Sequence, residues 1–553
     1  MKRRSFLTKT ALGLASPLVS NAFGGSTKLS SILSSAISTV DLANDHVLVL
    51  IQLAGGNDGL NTILPLETFG NLWAARNSII VPDDRFLVSK LSKRIAFHPA
   101  IEGLKNMFDD SKLRIVNSVG YPNPDFSHFK STDIWMSGSN SNETLLTGWL
   151  GRYLSDEYSN YPNNYPNVNF PDPPAIVTTS VLPFLLQGES SNFGEVVINP
   201  SNNYQLYDNK LPFISSGKAA KELEFLRQSG SLSNQYSSKL FENSSKVSQQ
   251  KPYPDTGLGS QLKNIANLIA GGVKTKIYIA SMSGFDTHAN QVDRAEPWKG
   301  THANLLRELS EAIVAFQTDL KFLGVSKRVI GATFSEFGRR VGSNASLGSD
   351  HGAAAPMIIF GEQALGGVAG DNPMIEQYAN PNTNVPMQFD FRSVFSSLLK
   401  DWFCVNQNTL EKVFMKNFQY IPLVANLDCL GITGNEEVDE NDNLVNIYRP
   451  DINSGTQKIL SSETTLTDGN RLMAYPNSFH KTLKLEFESE GGHCILQIFN
   501  SLGQQIAVVN EGNFQRGYYK AVFDGQDLPD SLYYVRFQNK SFQKVLNVVK
   551  ASR

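Results

Sequence analysis

The chain has 553 residues, 41% of them hydrophobic, with a formal net charge of -3. That length exceeds one ordinary domain and supplies material for large cores, while the mixed charge, with no basic block and no aromatic-basic platform, argues against a nucleic-acid partner. Three cysteines, Cys404, Cys429 and Cys494, lack C-x-x-C spacing and indicate neither a thiolate zinc site nor a disulfide framework.

The chain begins MKRRSFLTKTALGLASPLVS. Arg3-Arg4 ahead of Ser5-Phe6-Leu7, then a short apolar run with small residues, resembles a twin-arginine export signal over residues 1–25. The run is too short and too broken by Ser and Pro to serve as a membrane anchor. Residues 26–45 read as a linker. His46 to Leu53 is a near-continuous β run of the central parallel type. It ends in Ala54-Gly55-Gly56-Asn57-Asp58, whose glycines allow a sharp turn and which brings Asp58 to the strand's carboxyl end. The loop has neither the Walker nor the dinucleotide glycine spacing. His98-Pro99 opens a helical stretch, and Leu113 to Gly120 reads as a second strand. Tyr121-Pro122-Asn123-Pro124-Asp125 then signals a helix start. Ser127 and His128 fall in its first turn, where N–H groups and the helix dipole favour an anion. A serine nucleophile there would meet a phosphate or sulfate; a capping serine is the plainer alternative.

Residues 137–260 are rich in Asn, Ser, Tyr and Pro, with one strand expected near Ala175 to Thr179 and a polar helix from Gly217 to Lys246. They read as insertions shaping a cap that faces the substrate. Gln261 to Ala270 is an amphipathic helix and Lys276 to Ser281 another buried-type strand. Asp286 and His288 follow, two apart, and point to one side if the backbone stays extended, as two ligands of one ion would. Thr301 to Leu323 is a long packing helix, with His302 as a polar neighbour at its start. VIGATF (329–334) and MIIFG (357–361) are short apolar runs expected as buried parallel strands. Glu336 lies just past the first, and Asp350-His351 in the loop entering the second. That rim is where open α/β sheets place their chemistry, and carboxylate and imidazole are hard-to-borderline metal ligands. Asp390 to Trp402 forms a helix. Residues 431–471, with an acidic run from Glu436, read as a polar linker. From Leu472 the pattern becomes short alternating strands, an all-β sandwich over 472–553. The fold class is therefore α/β over 46–430, a mainly parallel sheet sandwiched by helices, plus the small C-terminal sandwich.

Seven segments occur in one order: QLAGGNDGLNTILPL, HPAIEGL, GYPNPDFSHFKSTDIW, GFDTHANQ, TFSEFGRRV, DHGAAAPMIIFG and DFRSVF. Together they resemble domain-of-unknown-function family 1501, which is similar to the alkaline phosphatase and sulfatase superfamily. The resemblance implies an alkaline-phosphatase-like fold with Asp58, Asp286, His288, Glu336 and His351 as ligands of divalent ions (zinc, calcium, magnesium or manganese). It makes Ser127 the nucleophile, with His128 beside it. The chain departs from the superfamily in carrying Glu336-Phe337 where Asp-His is usual, which removes one histidine ligand, and in the close spacing of Asp286 and His288. His128 or Asp350 would replace the missing ligand.

YPNSF, LQIFNSLGQQI, LYYVRFQ and KVLNVVK, within 472–553, resemble the carboxyl-terminal sorting domain of type IX secretion in Bacteroidetes. The expected partners are the twin-arginine and type IX machineries and a phosphorylated or sulfated substrate. The expected location is the cell surface or the medium. The implied function is a metal-dependent phosphate- or sulfate-ester hydrolase; the alternative is a non-catalytic surface protein retaining the fold. No G-x-S-x-G elbow supports a serine esterase.

Overall fold

A computed structural model describes residues 45–202, 218–425 and, with short breaks, 472–550. The expected signal at 1–25, all but Asp45 of the following linker, and the acidic linker at 431–471 lie outside the described residues. No helix among the described residues is long and apolar enough to cross a membrane.

The central sheet has nine strands: β1 (Val47–Leu53), β2 (Leu113–Gly120), β3 (Ala175–Val177), β4 (Gly194–Val196), β5 (Ile277–Met282), β6 (Val329–Phe334), β7 (Ala355–Phe360), β8 (Gly367–Ala369) and β9 (Phe389–Asp390). The spatial order is β8-β2-β7-β6-β1-β5-β3-β4, with β9 also on β2. Every strand runs the same way except β7, which is antiparallel to both β6 and β2. The expectation of a parallel strand at MIIFG is thus corrected. Parallel neighbours need a crossover, usually a helix, and no helix lies between Phe334 and Ala355. The chain instead returns through a short antiparallel pair, Gly338–Arg339 with His351–Gly352.

Because both faces of the sheet are covered, its central strands β1, β5, β6 and β7 are mostly apolar. Along β1, Leu48 and Leu50 enter one core, while Val47, Val49, Ile51 and Leu53 enter the other. The first core receives Trp135 of helix His128–Ser137, Trp149 of Trp149–Glu157 and Phe395 of Phe391–Phe403. The second receives Leu104 of Glu102–Asp109, Leu262 of Gly257–Ala270 and Ile313 of Thr301–Phe322. Each such side chain, fully buried, contributes roughly 1.5–3 kcal/mol. The expected cap at 137–260 is corrected in part. β3 and β4 extend the sheet, and Trp149, Leu150 and Tyr153 are core residues.

Cys404, at the left-handed end of helix Phe391–Phe403, is disulfide-bonded, a pairing the cysteine spacing does not indicate. Beyond Leu472 the chain is all-β, in sheets of three and five strands. Their inward positions, among them Leu483, Leu485, Phe487, Leu496, Ile498, Val535 and Phe537, form a separate core, as alternation at period two requires.

Candidate metal centre

One edge of the sheet collects five loops. β1, β5, β6 and β2 end there, delivering Asp58, then Asp286 and His288, then Glu336, then Ser127 and His128. β7, running the other way, begins there and brings Asp350 and His351.

Four side chains meet. His128, Asp286 and His351 each offer a ligand atom within 4.8 Å of the others. His288 adds a further nitrogen, its Nε2 2.7 Å from His351 Nε2 and 3.3 Å from Asp286 Oδ1. His351 Nε2 is also 3.3 Å from Asp286 Oδ1, and His128 Nε2 is 3.5 Å from Asp286 Oδ2.

The opposite ring nitrogens fix the tautomers. His351 Nδ1 lies 2.7 Å from the Phe126 carbonyl, which can only accept, so Nδ1 carries the hydrogen. His288 Nδ1 lies 2.9 Å from Asp350 Oδ1. Burial tends to raise the Asp350 carboxyl, but hydrogen bonds from Asn344 and His288 outweigh it and hold it below the usual range; as a carboxylate it too only accepts. His128 Nδ1 donates to Glu336 Oε1 at 2.9 Å, and that oxygen also accepts from the Gly55 N–H at 2.8 Å. With these tautomers and neutral rings the three Nε2 atoms carry lone pairs, and the 2.7 Å between those of His288 and His351 calls for a shared proton or a cation between them. The three face one another and Asp286, an arrangement that repels itself unless a proton or a cation sits among them.

Asp286 is kept ionised: burial raises its carboxyl, while the Arg339 guanidinium, 2.9 Å away, brings it below the usual range. Burial pushes the His351 imidazole below the usual histidine range, favouring the form that binds metal. Three imidazoles to one carboxylate suit zinc, copper, iron or nickel better than calcium or magnesium, which take oxygen ligands. The Asp286 side chain is 47% exposed and that of His288 43%. Closed four-ligand sites are structural, whereas catalytic ones keep a position open.

The structure sorts the expected residues. Asp286, His288 and His351 bring candidate ligand atoms to one point, and His128, one of the two expected replacements for the missing ligand, joins them. Glu336 and Asp350, expected as ligands, instead orient His128 and His288 through Nδ1, an outer-shell role. Asp58, also expected as a ligand, is fully buried beneath the centre and paired with Arg76. Ser127 is the residue before helix His128–Ser137, exposed, and its hydroxyl makes no capping bond. His302 is buried with Nε2 on Asn57 Oδ1. Sequence reasoning missed Arg76, Gln291, Arg339 and Phe337. The Phe337 ring packs on His351 at 4.3 Å and His128 at 4.9 Å between centroids. It forms a wall for two imidazoles rather than a ligand. Arg339 and Phe337 lie inside the SEFGRR segment; Arg76 carries no local signal.

Residues 266–413 match a family model. Its description is "Protein of unknown function (DUF1501)". The curated proteins contain no match. Solved structures give loose likenesses. A Bacteroides thetaiotaomicron protein described with the metabolism of multiple glycosaminoglycans is 9% identical, covering 87% of this chain and 90% of its own, at a TM-score of 0.31. A Pseudoalteromonas sulfatase is 10% identical, covering 68% and 71%, at 0.29. The lipoteichoic acid synthase LtaP of Listeria monocytogenes is 8% identical, covering 62% and 68%, at 0.22.

Proposed function

We propose that this chain is an exported, metal-dependent hydrolase of phosphate or sulfate esters, displayed at the cell surface or released. The observation that carries it is the convergence of three imidazole lone pairs of fixed tautomer on an ionised, half-exposed Asp286. His128, His288, His351 and Asp286 would hold one divalent ion, zinc fitting best among those expected. Since four protein ligands fill a tetrahedral set, a bound ion would polarise the ester and lower the pKa of a water only by accepting a further ligand on the exposed side of the site. Glu336 and Asp350 keep the rings aimed. Ser127, beside the first ligand and free of a capping bond, would attack or orient the ester, with helical N–H groups behind it.

Purified mature protein should contain metal and hydrolyse generic phosphate or sulfate esters. His351→Ala should abolish both metal and activity, and Ser127→Ala should abolish activity while retaining metal. Metal-free protein, with hydrolysis untouched by either change, would end this reading. The non-catalytic surface protein has one observation in its favour. Arg339, the guanidinium touching the cluster, directs its nitrogens to the carbonyls of Gly55, Gly56, Phe285 and Ser349 and to Asp286, not outward to an anion.

Export through a twin-arginine route and sorting by the β module at 472–553 belong to the same proposal. Their support is the Arg3-Arg4 segment and the strand-rich C-terminal pattern. Cells expressing a chain that stops at residue 471 should export the folded core but fail to display it. Normal surface display of that chain would overturn the sorting role.

A further inference from the structure

Asp58 leaves β1 toward the same edge as the ligands, yet its coordination sphere is full. Arg76 Nη1 stands 2.8 Å from Oδ1 and 2.9 Å from Oδ2, and Gln291 Nε2 donates to Oδ2 at 2.6 Å. Arg76 is itself completely buried. Its Nε donates to Val341 O and its Nη2 to Arg340 O, each at 2.7 Å, so the backbone leading away from Arg339 locks the guanidinium against the carboxylate. A guanidinium does not lose its proton in a protein. The positive charge at Asp58 is therefore part of the fold and does not depend on metal supply.

We propose that the centre is mononuclear and that Arg76 is the fixed cation standing where Asp58 would otherwise help hold a second ion. This rests on the metal site assigned above. An ion could reach Asp58 only by displacing Arg76, which would strand a buried charge, a strongly unfavourable event. Gln291 carries the consequence upward. Its Oε1 accepts from Thr287 Oγ1 at 3.0 Å and from Ser349 Oγ at 2.7 Å. Thr287 sits between Asp286 and His288, and Ser349 directly precedes Asp350. The Arg76–Asp58–Gln291 unit thus ties both ligand loops together in register.

The test uses the full mature chain. After saturation with Zn²⁺ and removal of excess, metal per chain is counted by elemental analysis and by native mass spectrometry, and the environment is read by zinc X-ray absorption. The expected result is one zinc per chain, with imidazole scattering and no metal–metal vector near about 3.5–4 Å, the spacing of two-metal sites. Two zinc ions per chain, or such a vector, would overturn the mononuclear proposal while leaving a metal hydrolase standing. No zinc bound would overturn both.

Discussion

Glu336 shows how one side chain sets the behaviour of another. Its Oε1 takes the Gly55 N–H and the His128 Nδ1–H together, so it ties a ligand to the first loop of the sheet. Glu336→Gln keeps the size but weakens the acceptor, and loss of an outer-shell partner costs about 10–100-fold in metal affinity. Competition with a zinc indicator should show a drop of that order; an unchanged affinity would mean Glu336 does not orient His128. Acidification should strip the metal, since bound imidazoles must be neutral; zinc retained after dialysis at pH 7.5 and at pH 5 measures this.

A second effect concerns His98 and His302, both buried away from the ligands. Burial lowers them to about 3 and about 4, below the unfolded value near 6.5. The unfolded chain therefore takes up more protons on acidification. The stability they contribute is complete above about pH 6.5 and is lost as pH falls toward those values, at up to about 1.4 kcal/mol per unit for each group. Urea unfolding in the presence of a chelator should show this slope. His98→Asn keeps a side chain able to accept from the Ala100 N–H, as His98 does, and should flatten it.

At the scale of elements, the edge works because loops from distant strands are pressed together. Gly55 has φ +121, and a Cβ there would lie 2.3 Å from the Asp286 backbone nitrogen. Gly55→Ala should cost at least about 2 kcal/mol and loosen metal binding, because it pushes on the loop that carries two ligands. Gly70, in helix Phe69–Arg76, has open space around it, so Gly70→Ala should stabilise by about 0.5–1 kcal/mol. Thermal unfolding of the two variants should move in opposite directions. Much of this architecture is legible in the sequence. VLVLIQL, KIYIAS and VIGATF declare buried strands by their largely apolar character, and their ends locate the edge where the candidate ligands gather. The direction of β7 is not legible from MIIFG, because an apolar run has no polarity; it follows from the lack of a helix between Phe334 and Ala355. The roles of Asp58 and Glu336 escape for another reason. A carboxylate reads alike whether it meets an ion, an imidazole or Arg76, and Arg76 lies outside every segment that looks functional.

On the scale of the whole molecule, the β module beyond Leu472 has a core that shares no residue with the α/β region. The ion pair between Lys484 and Asp371, at 2.6 Å, is partly exposed at both partners, a kind typically worth about 0–1 kcal/mol. A chain ending at residue 430 should therefore keep its metal content and unfold within a few degrees of the full chain; loss of cooperative unfolding would show that the two parts fold together. The pairing of β1 also bears on how the molecule is made. Its neighbours on both sides, β5 and β6, lie more than 220 residues later. At roughly 5–20 residues per second of synthesis, β1 waits about ten seconds or longer as a nearly all-apolar strand without its neighbours. Closing so long a loop is entropically costly, and such non-local pairings form slowly. The nascent chain should therefore need shielding of its first strand, and the edge that gathers the candidate ligands can be assembled only when translation has passed β7.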